Sequence, residues 1–403
     1  MKVFFIGFGQ AGGKIADRFI SYDKRTNGGS FRAIAINTAR TDLMGLEHIP
    51  YEDRVLIGQT IVRGHGVGTD NDTGAQVAFD EIDIIMNAID RKGVGDTEAF
   101  IIIAGLGGGT GSGGAPVLAR HLKQIYREPV YVLGLLPAPE EGKLYSYNAA
   151  RSLATLVKEA DNVILFDNSA WKNEGESIKG AFDRLNDEIV RRFGILFRAG
   201  EVGNAGIGEM VVDSSEIINT LRGGGISSIG YALSEIVNAE PESEIEEQTG
   251  FLKTLLRRSS ESSRSSEPSI PVGAERLMGE DKTSRTLSLV RRAMLGRLTL
   301  PCDFTSASRA LVLVAGPPNE LDRKGIEKAK SWVEENIAGV EVRGGDYPAN
   351  SRYIATVVLL ASLSNAPRVT HLLEVAKETK ETAKSIDEQN TLKMDESIDP
   401  LFD

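Results

Sequence analysis

The chain has 403 residues, of which 41% are hydrophobic, and a formal net charge of -11 from 57 acidic and 46 basic residues. This length favours two domains, and the acidic balance disfavours nucleic acid and anionic membranes as partners. The single cysteine, Cys302, excludes an internal disulfide, and the four histidines are too scattered to form a metal-ligand cluster. No run reaches the roughly 18 apolar residues of a membrane helix. The N-terminus lacks the pattern of a cleavable signal, so the sequence predicts a cytoplasmic protein without an integral membrane segment.

Short apolar runs recur through the first half of the chain and are typical of strands buried on both faces. These runs are residues 2–8, 31–37, 54–58, 99–106, 130–137 and 162–168. Helix-like segments lie between several of them, at 72–90, 112–127 and 146–160. The alternation predicts an α/β domain with a parallel sheet covered by helices on both sides.

The second half of the chain begins with a long helical pattern and then changes composition. Apolar residues recur along one stripe of residues 176–199, which predicts a long central helix leading towards a second domain. A Ser-rich, charged stretch follows and predicts a mobile insertion. The predicted organisation is an α/β domain over 1–200, a loop and helix over 201–240, the insertion over 241–285, a smaller α+β domain over 286–383 and a disordered acidic tail over 384–403.

The first glycine-rich turn, Gly7–Gly12, follows a strand and opens a helix. It satisfies the G-x-G-x-x-G pattern of dinucleotide-binding folds, but Asn37 and Thr38 stand where an acidic ribose ligand is expected. Lys14 after Gly13 does not make it a Walker A loop. Two interpretations remain open: an anion site built from backbone N–H groups, or a tight turn in which glycine serves packing alone.

The second glycine-rich segment, Gly105–Gly114, carries more information. Ordering so many glycines costs backbone entropy, and consecutive N–H groups around a di- or triphosphate would offset that cost. Thr110 and Ser112 add hydroxyl donors. A third cluster, Gly64–Thr69, follows the third strand and is placed to approach a terminal phosphate, with His65 as a weaker catalytic candidate.

These motifs together resemble the tubulin and FtsZ superfamily. Gly107–Gly113 matches the tubulin signature GGGTG[ST]G, and Gly9–Gly12 resembles the first phosphate loop of tubulin. Glu141-Gly142 stands where FtsZ has its ribose-binding Glu-Gly. Tyr145 replaces the arginine that follows there, and Tyr147–Ala149 resembles the tubulin version of the loop.

Further landmarks of the superfamily follow in the expected order. Asn168 falls where the family contacts the nucleoside, and Phe182 and Asn186 match the positions that stack on and hydrogen-bond guanine. Val212–Glu216 resembles the acidic loop that enters the neighbouring subunit's nucleotide site, although Val211 replaces an asparagine. The same loop is also a helix-capping signal, so Asp213 is expected to cap the helix while Glu216 faces outward.

The resemblance implies a GTPase that polymerises head to tail, with Asp213 and Glu216 acting on the next subunit's GTP. It implies GTP or GDP and Mg²⁺ as ligands, without identifying the metal-binding residues. It assigns nucleotide contacts to Gly9, Gln10, Ala11, Gly12, Gly13, Lys14, Gly66, Val67, Gly68, Gly107, Gly108, Gly109, Thr110, Gly111, Ser112, Glu141, Asn168, Phe182 and Asn186.

Tubulin-like loops on a compact chain with a Ser-rich insertion are most similar to CetZ, the archaeal tubulin-like group, which implies a role in cell shape. Two alternatives remain: a Rossmann-type NAD(P)-dependent oxidoreductase and a non-hydrolysing tubulin-like regulator. Residues 398–402 form a small apolar island in the polar tail. By analogy with FtsZ this tail is a candidate docking segment for partner proteins; the alternative is a frayed end.

Overall fold

The computed structural model describes residues 1–173, 178–201, 208–236, 274–275 and 281–397. Eleven strands form one sheet in this part of the chain. They are β1 (Val3–Phe8), β2 (Phe31–Asn37), β3 (Arg54–Leu56), β4 (Ala99–Gly105), β5 (Val130–Leu136), β6 (Asn162–Asp167), β7 (Ile226–Glu235), β8 (Ala274–Glu275), β9 (Arg309–Gly316), β10 (Glu341–Pro348) and β11 (Tyr353–Leu363).

The α-helices cover both faces of this sheet. They are α1 (Gly9–Arg25), α2 (Arg40–Met44), α3 (Gln59–Val62), α4 (Asn71–Asp80), α5 (Ile82–Lys92), α6 (Gly109–Ile125), α7 (Lys143–Glu159), α8 (Asn168–Trp171), α9 (Ile178–Arg198), α10 (Ser214–Leu221), α11 (Lys282–Leu295), α12 (Arg323–Asn336) and α13 (Pro367–Ser397).

The first six strands are parallel, in the spatial order β3-β2-β1-β4-β5-β6. Their side chains are buried in two apolar clusters, one on each face, which explains the unbroken apolar runs in the sequence. The strand order reverses between β1 and β4, since β2 lies on one side of β1 and β4 on the other. Ligands of open α/β sheets bind at such a switch point, beyond the carboxyl ends of the strands.

The second half of the sheet contains the strand order β7-β11-β9-β10, with antiparallel pairing around β11 and parallel pairing of β9 with β10. α11 and α12 cover one face with a third apolar cluster. β7 joins the two halves, because Ile226 and Ser227 pair in parallel with Val163 and Ile164 of β6. The predicted α/β domain, long central helix and smaller α+β domain are confirmed.

The central helix α9 packs against α1 and runs beside the sheet for about 30 Å at 1.5 Å per residue. Near its start, Arg18 of α1 pairs with Asp183 and Asp187. Beyond its end, the amino group of Met1 donates to the carbonyl oxygen of Ala199 at 3.2 Å. The helix therefore runs alongside α1 and ends at the edge of the sheet where β1 begins.

Two predicted segments differ in the structure. The helix expected over 72–90 is divided into α4 and α5 at Glu81, whose carboxylate accepts the Gly58 N–H at 2.9 Å. The tail expected to be disordered from residue 384 is helical to Ser397, because it is rich in helix-forming residues and lacks glycine and proline up to that point. Of the insertion predicted over 241–285, residues 241–273 and 276–280 lie outside the described residues, while 274–275 form β8 and 282–285 begin α11. The apolar island at 398–402 also lies outside the described residues.

Candidate functional site

Two helices begin directly beyond adjacent strands at the carboxyl edge of the parallel sheet. α1 follows β1 and α6 follows β4, and these strands pair from Val3 opposite Ala99 to Phe8 opposite Ala104. Neither N-cap residue, Phe8 or Gly108, forms a side-chain cap within the described part of the chain. By contrast, aspartates cap α4, α11 and α12. Uncapped N–H groups at a helix start attract an anion, so two such starts converge on this edge.

Several glycines of these loops serve packing. Gly9 has φ +74°, and a Cβ there would lie 3.0 Å from the Gly111 nitrogen, so the two loops touch. A Cβ on Gly109 would lie 2.5 Å from the Val67 side chain and 2.7 Å from the Asp70 carbonyl oxygen. Close packing therefore explains why several positions in these loops, including Gly109, are glycine.

Other glycines at the same edge face open space. No described atom lies within 4 Å of a Cβ placed on Gly68, Gly108 or Gly142. These three residues come from the loops that follow β3, β4 and β5. The opening beside Gly108 lies at the uncapped start of α6, where a phosphate would meet backbone N–H groups.

The two predicted hydroxyl donors have different environments. Thr110 Oγ1 lies 2.7 Å from Thr38 Oγ1, and this pair joins the loop after β2 to the loop after β4. Ser112 is buried, and its hydroxyl donates to the carbonyl of Gly108. Thr110 is thus the hydroxyl available at the edge, whereas Ser112 stabilises the first turn of α6.

The residues predicted as the first phosphate loop, Gly9 to Lys14, form the first turns of α1 and differ in exposure. Gln10 and Lys14 are exposed, Ala11 is partly exposed, and Gly12 and Gly13 are buried. The backbone of this turn and the two exposed side chains are therefore the groups that can reach a ligand.

The third glycine loop, with Gly66 and Val67, is held to the second loop by a residue that sequence reasoning did not select. Asn148 of α7 is buried, and its amide donates to the carbonyl oxygens of Thr69 at 2.7 Å and Gly107 at 3.1 Å. Thr69 has φ +71°, a strained conformation for a β-branched residue, so its backbone needs this support. The resemblance of residues 147–149 to tubulin was the sequence signal for Asn148.

The predicted nucleoside contacts lie at the ends of β5 and β6. Glu141 Oε1 accepts the Ala138 N–H at 2.7 Å, which closes the turn after β5. Asn168 is the first residue of α8, directly after Asp167, whose carboxylate lies 3.4 Å from the Arg368 guanidinium. Arg368 also donates to the Pro137 carbonyl at 2.7 Å, across 231 positions of sequence, and no local pattern signals such a contact.

Phe182 and Asn186 lie one turn apart near the start of α9, beside the middle of α1. The ion pairs of Arg18 with Asp183 and Asp187 fix this alignment. Phe182 is 45% exposed although it is a large apolar residue, and Asn186 is 8% exposed. An exposed aromatic ring is available to stack on a planar base.

The acidic loop lies at the opposite edge of the sheet. Ser214 donates its hydroxyl to Glu98 Oε1 at 2.6 Å, and Glu98 Oε2 accepts the Lys2 N–H at 2.6 Å. Lys2 and Glu98 immediately precede β1 and β4, whereas the glycine loops follow these strands. β4 has seven residues, so the acidic loop and the glycine loops are separated by roughly 20 Å at 3.3 Å per residue.

Asp213 and Glu216 have contrasting environments. Asp213 is exposed and caps α10, since its Oδ1 accepts the Glu216 N–H at 3.1 Å. The hydroxyl of Ser215 also donates to Asp213 and lowers the pKa of that carboxyl. Glu216 is half-buried rather than fully outward, and its Oε2 accepts no hydrogen bond from the described residues. Burial, and then the charge of Asp213, raise the pKa of Glu216.

The described residues contain no group of three or more His, Cys, Asp or Glu side chains placed to hold a metal ion. This arrangement is compatible with Mg²⁺, which commonly binds through phosphates and water with one or two carboxylates. None of the described helices combines the length and apolar character needed to cross a membrane.

Comparisons with known proteins agree with this geometry. Residues 2–175 match the GTPase domain of the tubulin/FtsZ family, and residues 175–378 match the C-terminal domain of tubulin-like CetZ. The tubulin-like protein CetZ1 of Haloferax volcanii is 50% identical, over 96% of this chain and 94% of its own length.

Solved structures give the same result. A GDP-bound monomer of Haloferax volcanii CetZ1 has a TM-score of 0.79 at 48% identity, covering 94% of this chain and 100% of that chain. A GTPγS-bound protofilament of CetZ2 from the same organism has a TM-score of 0.79 at 41% identity, covering 95% and 100%. The oxidoreductase alternative is therefore wrong and the predicted family is confirmed: the chain belongs to the tubulin/FtsZ family of GTPases and, within it, to the CetZ group of tubulin-like proteins.

Proposed function

We propose that this chain assembles head to tail into cytoplasmic filaments and that each GTP is hydrolysed between two subunits. The main support for this proposal is the distance between the acidic loop and the glycine loops. They lie roughly 20 Å apart, at opposite edges of one sheet. A second chain stacked on the first brings the unlike edges together. Such a contact uses two different surfaces, and when it does not close into a ring it continues as a filament.

The carboxyl edge supplies the groups that bind the nucleotide in this proposal. Backbone N–H groups at the starts of α1 and α6 bind the phosphates, with the Thr110 hydroxyl beside them. Phe182 stacks on guanine and Asn186 hydrogen-bonds its edge, while Glu141 and Asn168 contact the nucleoside. Mg²⁺, when bound, neutralises charge on the phosphates. The GDP- and GTPγS-bound relatives support a guanine nucleotide as the ligand.

The amino edge of the next subunit supplies the acid–base groups. Glu216, with its raised pKa, accepts a proton from the attacking water, and ionised Asp213 orients that water. The water oxygen bonds to the γ-phosphorus and the bond to the β,γ-bridging oxygen breaks, which leaves GDP and phosphate. Turnover then depends on assembly, and the nucleotide state biases filament stability.

A mixture of two inactive variants tests catalysis between subunits. Glu216→Ala should bind GTP normally but turn it over about 100-fold more slowly or worse, the lower range for a positioned acid–base group. Gly108→Val should bind GTP roughly 10- to 100-fold more weakly, because the added side chain fills the opening at the start of α6. At a GTP concentration near the wild-type Kd its own site is then largely empty while its acidic loop stays intact. Gly108 is preferred to Gly109, where the substitution would disturb packing against Asp70.

The turnover expected of this mixture can be stated as a fraction of the wild-type turnover. If subunits combine at random, about a quarter of the contacts in an equimolar mixture pair a bound GTP with an intact acidic loop, so turnover should recover towards that fraction of wild type. Co-sedimentation of the two variants verifies that they share filaments. Co-assembled filaments that hydrolyse no GTP would overturn the proposal.

A further inference from the structure

The segment that leads into the acidic loop lies along an edge strand of the second half of the sheet. β10 is the outermost strand on that side, and Val211 forms a parallel bridge with Asp346 of this strand. The Asp346 N–H donates to the Met210 carbonyl at 2.7 Å. Residues 208–211 therefore extend the sheet by one short pairing immediately before Asp213.

The side chain of Asp346 holds the same segment. It is 4% exposed, and its carboxylate oxygens accept the N–H groups of Glu209 at 3.0 Å and Met210 at 3.2 Å. Gly208 packs directly against this carboxylate, since a Cβ on Gly208 would overlap it. A buried charge bonded to two successive backbone amides fixes both the position and the direction of the loop.

The far side of the loop is also held. Gly200, at φ +85° just after α9, lies against it, because a Cβ there would be 2.9 Å from the Val212 carbonyl oxygen and 3.0 Å from the Asp213 Cα. Val212 itself is fully buried. The acidic loop is thus clamped between the end of the central helix and β10, and Asp346 is the charged member of this clamp.

We propose that Asp346 is a positioning residue for GTP hydrolysis, which holds Asp213 and Glu216 in the geometry that meets the next subunit's nucleotide. The inference rests on the proposed function. Asp346 touches no nucleotide in this scheme and belongs to the second half of the sheet, so its loss should impair turnover and leave GTP binding intact. Displacement of a reacting group by about 1 Å costs roughly 100-fold in rate, so a loosened loop should lower turnover by about 10- to 100-fold.

Asp346→Asn is the direct test, because it keeps the side-chain size but removes the charge and one acceptor. The expected result is wild-type GTP affinity with turnover lowered in that range. Asp322→Asn is the matched control: Asp322 caps α12, which covers the same half of the sheet, and its carboxylate accepts the Gly325 N–H at 3.0 Å and the Thr283 hydroxyl rather than N–H groups of residues 208–211. It should cost comparable thermal stability without the loss of turnover.

Complementation separates positioning from a general structural role. Asp346→Asn should recover turnover when mixed with Gly108→Val, whose acidic loop is intact, and should not recover it with Glu216→Ala. Gly208→Ala keeps Asp346 but displaces the loop from its carboxylate, because the added methyl group would overlap that side chain. It should behave in the same way and decides the question if Asp346→Asn does not fold. Wild-type turnover in the folded variants would overturn the inference. Failure of Glu216→Ala and Gly108→Val to complement each other would instead overturn the proposed function.

Discussion

The starts of α1 and α6 at the carboxyl edge of the parallel sheet contrast with the start of α10 at the amino edge. At the carboxyl edge, α1 and α6 begin without a side-chain cap in the described structure, and open space lies beside Gly108. At the amino edge, Asp213 caps α10 and a second carboxyl, Glu216, lies one turn further on. One edge offers hydrogen-bond donors and the other offers fixed acceptors. Under the proposed function, these helix starts belong to two complementary surfaces that meet when copies of the chain stack.

The largest expected effect comes from filling the opening beside Gly108 at the carboxyl edge. Gly108→Val should weaken GTP binding by roughly 10- to 100-fold, because each lost hydrogen bond to a charged group costs about 1.5–3 kcal/mol. Gly95→Val is the control, since that glycine also faces open space but lies in the loop before β4, at the amino edge. Calorimetric titration with GTP measures both variants. Equal affinities in the two would show that the opening beside Gly108 does not receive the phosphates.

A smaller effect is expected from the exposed ring at the start of α9. Phe182→Ala should weaken GTP binding by about tenfold with little change in stability, since stacking of a base on an aromatic side chain contributes about 1–3 kcal/mol. Phe79→Ala serves as a control, because Phe79 is 65% exposed on α4. GTP titration together with thermal unfolding checks the pair. A variant that loses stability but keeps its GTP affinity would make Phe182 a packing residue.

The smallest expected effect is a shift in the pH dependence of turnover. Glu216 must be ionised to accept a proton, and its raised pKa places the acid limb of the profile above its usual value of 4.5. The charge of Asp213 contributes to that raised pKa, so Asp213→Asn should move the limb to lower pH while lowering the rate. Rates of phosphate release across pH at constant ionic strength measure the shift. An acid limb that moves to higher pH in this variant would show that a group other than Glu216 produces the limb.

The carboxyl edge was largely predictable from sequence because its signals are local. Apolar runs mark the six parallel strands, and a glycine loop directly follows β1 and β4. The acidic loop was also visible, since a capping pattern needs only four adjacent residues. What local signals could not supply was the distance between these parts, which depends on the order and direction of the strands.

Other features depend on contacts far apart in sequence. β7 escaped prediction because Ser227, Ser228 and Ser234 interrupt its apolar pattern; all three are fully buried, and Ser227 donates to the Asn162 side chain at 2.7 Å. The packing role of Gly109 depends on Asp70 of another loop. Asp346 accepts a hydrogen bond from the Met210 N–H, which lies 136 positions away in the sequence. Such residues have ordinary neighbours in sequence, so their roles appear only once the chain is folded.

Turnover measured during dilution tests the central claim most directly. If hydrolysis needs two subunits, GTP hydrolysis per subunit should rise steeply with protein concentration and disappear well below the assembly threshold, where each chain carries separate halves of the site. GTP binding should persist throughout this range, because the carboxyl edge is complete in one subunit. Hydrolysis per subunit that stays constant across the dilution would place the whole catalytic site within a single chain and contradict the account.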